Sequence, residues 1–119
     1  MILIVDDDEV LLESIADLLL LSDFQVMTAS NGMEALDALQ QRLPDCIVSD
    51  VMMPEMDGYA LLEAIRSHDS WSTIPVILIT AYDRPFSDEV KRGQTPNAML
   101  AKPFDLDQLV TAINQVIDA

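Results

Sequence analysis

The chain has 119 residues, half of them apolar, which suits one compact domain over 1–119 with a real core; nothing suggests a second. It carries 21 acidic residues against 6 basic ones, a formal net charge of −15. Direct nucleic-acid binding draws most of its affinity from Lys and Arg on phosphates, so that charge argues against it.

Met1–Val5, an all-apolar run that stops at three aspartates, reads as a buried parallel strand. No basic or small-residue pattern precedes it as an export signal would, and no apolar run nears the roughly 20 residues of a membrane span, so we expect a cytoplasmic protein with no membrane contact. Glu9–Leu21 carries Val10, Leu11, Ser14, Ile15, Leu18 and Leu19 at helical spacing, and Asp8 suits its N-cap. Gln25–Ala29 is a second strand candidate. Asn31-Gly32 signals a turn, and Met33–Leu43 a helix with Ala35, Leu36 and Leu39 inward. Cys46–Ser49 is a third strand stopped by Asp50, and its lone cysteine excludes a disulfide framework and suits a buried, reduced thiol.

Val51–Gly58 contains Pro54 and Asp57-Gly58 and reads as a loop, where Met52, Met53 and Met56 suit packing or a partner contact. Tyr59–His68 follows as a helix, with His68 on the surface and Trp71 over the edge of the core. Ile74–Ile79 is the clearest strand and ends on Thr80. Ser87–Arg92 is ambiguous, a short helix bounded tightly by Pro85, Gly93 and Pro96. Ala98–Ala101 is a short fifth strand before Lys102-Pro103. Asp105 and Gln108 then form a capping box for a last helix to about Ile117.

This alternation predicts an α/β fold, a doubly wound (βα)5 five-stranded parallel sheet with helices on both faces. Ligands of such sheets bind at the carboxyl ends of the strands. Asp6, Asp7, Asp8, Asp50, Thr80 and Lys102 all fall at that edge. Packed carboxylates repel one another unless a cation compensates. Mg2+ is a hard ion that takes one or two carboxylates and leaves room for water and phosphate. A carboxylate nucleophile, a metal, an ammonium and a hydroxyl donor are the parts that phosphoryl transfer needs.

Four segments carry a resemblance: Ile2 to Asp8 (ILIVDDD), Pro44 to Gly58 (PDCIVSDVMMPEMDG), Pro75 to Ala81 (PVILITA) and Leu100 to Phe104 (LAKPF). Together they resemble the receiver domain of bacterial two-component response regulators, a flavodoxin-like fold, over essentially the whole chain. The resemblance implies that Asp50 accepts a phosphoryl group from a sensor histidine kinase or a histidine phosphotransfer protein. Asp7 would bind Mg2+ directly, Asp6 directly or through water, and Met52 through its backbone carbonyl. Thr80 would swing toward the phosphoryl group, Lys102 would hold it, and the small Ala81 would leave it room. Lys102-Pro103 would be a cis peptide. Such a domain catalyses its own phosphorylation and dephosphorylation, is no turnover enzyme, and signals to a downstream effector domain or protein.

Two other readings compete. Asp6-Asp7-Asp8-Glu9-Val10 also fits the D-x-D-x-[TV] pattern of haloacid dehalogenase-like phosphatases, with Asp6 as nucleophile and Asp8 as general acid. That reading leaves Asp50 and its loop unexplained. An inert receiver-like interaction module is the other. Two features depart from the receiver pattern: Met99 stands where many receivers have an aromatic residue, and Gly93-Gln94-Thr95-Pro96-Asn97 replaces a compact acidic turn. We therefore expect a short or mobile element over 84–97.

Overall fold

The structure, a computed structural model, describes residues 1–80 and 95–118. Five strands, β1 (Ile2–Val5), β2 (Val26–Ala29), β3 (Cys46–Asp50), β4 (Val76–Thr80) and β5 (Ala98–Ala101), form one parallel sheet in the order β2-β1-β3-β4-β5. The helices described are α1 (Glu9–Leu21), α2 (Gly32–Gln41), α3 (Gly58–Arg66) and α4 (Leu106–Asp118). This is the doubly wound architecture expected from the alternation. The ambiguous helix over 87–92 lies outside the described residues. No described helix is long and apolar enough to cross a membrane.

Two cores explain why the central strands read as unbroken apolar runs. Leu3, Val5, Ile47, Val76 and Leu78 point to one face, where Ala35 and Leu39 of α2 and Leu61, Leu62 and Ile65 of α3 close over them. Ile2, Ile4, Cys46, Val48, Ile77 and Ile79 point to the other, under Leu12, Ile15 and Leu19 of α1 and Leu109, Ile113 and Val116 of α4. A strand buried on both faces cannot alternate polar with apolar residues.

Helix ends follow local chemistry. Asp8 caps α1, its Oδ1 accepting from the N–H groups of Val10 and Leu11. Asn31 caps α2 by accepting from Glu34 N–H, and Glu34 in return accepts from the N–H and hydroxyl of Ser30. The expected capping box of α4 is present: Gln108 N–H donates to Asp105 Oδ1 at 2.8 Å and Asp105 N–H to Gln108 Oε1 at 2.9 Å.

The apolar stripe of α1 needs a correction. Leu12, Ile15, Ala16 and Leu19 are the buried set, whereas Val10 is 78% exposed and Leu18 43%. The helix is apolar on more than one face, so spacing alone allowed two stripes. Leu11, Ser14 and Leu18 instead line a groove with Pro103, Phe104 and Leu106. Trp71 is buried in the core under α2 and α3, and its ring stacks on the exposed His68 with centroids 3.7 Å apart.

Candidate functional site

The parallel sheet delivers four chain segments to one edge. β1 runs directly into Asp6, β3 ends on Asp50, β4 ends on Thr80, and β5 leads into Lys102. Their alignment follows from register: Val5 pairs with Ser49, Asp50 with Ile79, and Thr80 with Ala101. The edge is locked by main-chain bonds beyond the strands, from Val51 N–H to Ile79 O at 2.9 Å and from Lys102 N–H to Thr80 O at 2.8 Å.

Asp6, Asp7 and Asp50 each offer a carboxylate oxygen within 4.8 Å of the others. Asp7 is exposed, but Asp6 is only 1% exposed and Asp50 6%. One Asp6 oxygen accepts from Asp8 N–H at 2.9 Å, and the other, Oδ2, is buried without a hydrogen-bond partner among the described residues. Burial raises the Asp6 carboxyl to about 6, with the charges of Asp50 and Asp7 pushing the same way; the Asp8 N–H and Lys102 pull against it. Lys102 Nζ lies 3.3 Å from Asp50 Oδ2. The other Asp50 oxygen accepts weakly from Met52 N–H at 3.4 Å.

A cluster of three carboxylates with one ammonium and an orphaned buried oxygen suits a hard cation that ligates oxygen. That donor set fits Mg2+ better than a softer metal, which would want His or Cys.

The loop after β3 is shaped to hold Asp50 still. Glu55 takes a positive φ of 67°, Gly58 N–H returns to Val51 O at 2.8 Å, and Asp57 caps α3 through Ala60 N–H. A Cβ on Gly58 would sit 2.7 Å from the Asp50 carbonyl oxygen and 2.8 Å from Val51 Cα, closer than real Cβ contacts come. Only glycine lets α3 begin so near the acceptor candidate.

The structure thus brings Asp6, Asp7, Asp50 and Lys102 together, with Thr80 half-buried on the next strand end and Met52 two residues past Asp50. Ala81 lies outside the described residues. Met99, in place of an aromatic residue, packs against the α2–α3 core. Lys102-Pro103 is cis, as expected. Most of 84–97 lies outside the described residues, but Asn97 is firmly bonded, its N–H donating to Val76 O at 2.8 Å. Sequence reading passed over Arg66, Asn97 and the close approach of Gly58. Asp57-Gly58 marked a turn, but nothing local shows what that turn packs against.

The family model for the response regulator receiver domain matches residues 2–114. The chain belongs to the response-regulator receiver family. It is 38% identical over 118 residues to response regulator Rre1 of a Synechocystis species, covering 98% of this chain and 51% of that one. The chain therefore spans about half the length of several curated relatives it matches. Among solved structures, the receiver domain of a signal transduction histidine kinase from Syntrophus aciditrophicus is 34% identical with a TM-score of 0.87, covering 98% of this chain and 89% of that one. A receiver domain from a Pseudomonas aeruginosa sensor histidine kinase, solved with a magnesium ion in its active-site cleft, is 27% identical with a TM-score of 0.88, covering 99% and 97%. Receiver domains are phosphoryl-accepting signalling switches rather than turnover enzymes. The phosphatase alternative finds no support: Asp8, its general acid, is occupied in capping α1.

Proposed function

We propose that residues 1–119 form one cytoplasmic receiver domain that takes a phosphoryl group onto Asp50 from the phosphohistidine of a sensor kinase or a histidine phosphotransfer protein. The observation that carries this reading is the Lys102–Asp50 pair at 3.3 Å beside the Asp6, Asp7 and Asp50 carboxylates. Asp6, Asp7, Asp50 and the Met52 carbonyl would hold Mg2+. When bound, that ion offsets charge between the carboxylates and the phosphoryl oxygens.

The chain's own residues do the rest. An Asp50 oxygen attacks phosphorus while the phosphorus–nitrogen bond of the donor breaks and the imidazole leaves with its electron pair. Lys102 transfers its pairing from the carboxylate to a phosphoryl oxygen, and the Thr80 hydroxyl donates to another. The small Ala81 leaves space beside them. Hydrolysis by water then returns the free carboxylate, so the domain catalyses both its own loading and its own reset. Output passes to an effector domain or protein, not to nucleic acid bound by this acidic surface.

Acetyl phosphate with Mg2+, followed by mass spectrometry of the modified peptide, tests the assignment. The phosphoryl group is expected on Asp50 and absent from Asp50→Ala. Label on Asp6 would restore the phosphatase reading, and no label at all would leave an inert interaction module.

A further inference from the structure

We propose that Arg66 and Asn97 are positioning residues, whose shared node sets the register of β5 and thereby aims Lys102 at Asp50. The functional arm of this proposal rests on the acceptor reading above; the register arm does not.

β5 pairs with β4 and is the last strand in the sheet order. Its sequence, Ala-Met-Leu-Ala, is apolar throughout, with Met99 packed on the α2–α3 core and Ala98 and Leu100 on the α1–α4 core. Register is well specified where one face of a strand is polar, because a one-residue slip then exposes the apolar set. Here a slip would exchange apolar residues for apolar residues on both faces. It would also turn Lys102 to the opposite side of the sheet. Something other than hydrophobic pattern must hold the strand in place.

Asn97 supplies that hold. Its backbone N–H donates to Val76 O at 2.8 Å, and its side-chain Oδ1 accepts from Val76 N–H at 2.9 Å. One residue thus takes both main-chain groups of Val76, just before the ladder begins at Ile77 and Ala98. Neither neighbour could replace it. Pro96 has no N–H to give, and Ala98 has no side-chain acceptor.

Arg66 fixes the node to the rest of the fold. As the last residue of α3, it donates from Nη2 to Asn97 Oδ1 at 2.6 Å, and from Nη1 to Ile74 O at 2.7 Å and Ser72 O at 3.3 Å. Among the described residues it makes no ion pair, although the chain holds 21 carboxylates. A half-buried guanidinium whose partners among the described residues are all neutral oxygens serves geometry. It ties α3, the lead into β4 and the start of β5 at one point, roughly 16 Å of extended strand from Lys102.

A double-mutant cycle tests this, with the rate of Asp50 phosphorylation by acetyl phosphate as the readout. In the wild type, Lys102→Ala should slow the reaction on the order of 10²-fold, as expected for loss of one charge-stabilising donor. In Asn97→Leu, where Lys102 is already misplaced, Lys102→Ala should cost only a few-fold more. Asn97→Asp keeps an oxygen for both Val76 N–H and Arg66, so it should restore the full effect of Lys102. Arg66→Met, which keeps the Asn97–Val76 pair, serves where Asn97→Leu fails to fold and should also shrink the Lys102 effect. Additive costs in a folded node variant would overturn the proposal. If the wild type accepts no phosphoryl group, the acceptor reading falls and register is decided by NMR. Cross-strand contacts between Ile79 and Leu100 should weaken or shift in Asn97→Leu or Arg66→Met, and their retention would overturn the proposal.

Discussion

Asp6 is where charge, burial and the proposed metal site meet at a single residue. Its folded carboxyl is raised to about 6, above the ordinary value of 3.8, chiefly by burial. A raised carboxyl favours folding most at low pH, and that advantage is lost as pH climbs through about 6. Without metal, Asp6→Asn should therefore be more stable than the wild type at pH 7 to 8, and the gap should close toward pH 4 in denaturant melts. Because Mg2+ competes with the same proton, affinity measured by calorimetry should weaken as pH drops below about 6. Gly58 makes a different demand. Its absent Cβ leaves room for the Asp50 carbonyl, so Gly58→Ala should cost about 1–3 kcal/mol of stability. Gly32→Ala should cost less, since the added carbon meets the flexible side chain of Met56 rather than backbone. The convergence of Asp6, Asp50 and Lys102 was legible from residue type and position at strand ends. The role of Gly58 was not, because the atom it avoids lies eight positions earlier in the chain.

At the scale of elements, capping was readable and packing phase was not. Asp105 and Gln108 stand three apart, and their reciprocal bonds follow from that spacing alone. The buried face of α1 depends on which side the sheet lies, and a helix with leucine on several faces does not say. The structure settles it in favour of Leu12, Ile15, Ala16 and Leu19. Leu19→Ala should accordingly cost about 2–5 kcal/mol in equilibrium unfolding. Leu18→Ser, one residue earlier and 43% exposed, should stay within about 0.5 kcal/mol. β5 shows the opposite limit: its position in the chain was clear, but the proposed hold on its register pairs Asn97 with Val76 and with Arg66, 31 residues away.

For the molecule as a whole, the net charge of −15 makes cations a partner in folding. If Mg2+ binds with millimolar affinity, 10 mM should add about 1.4 kcal/mol of stability. That rise in melting temperature should vanish in Asp7→Ala and Asp50→Ala; a rise that survives both would remove the proposed site. Architecture and the meeting of the carboxylates with Lys102 were both legible because one rule, ligands at the carboxyl ends of parallel strands, says which residues share an edge.

Cys46 opens β3, the central strand that ends on Asp50, and it is fully buried. Burial and the neighbouring Asp45 charge push its thiol up to about 12, so the folded chain offers essentially no thiolate to a reagent. Since this is the one cysteine in the sequence, its labelling rate becomes a clock for opening of the whole core. A cysteine introduced at exposed Leu18 or Met52 would react long before it, and could carry a probe without removing the native thiol.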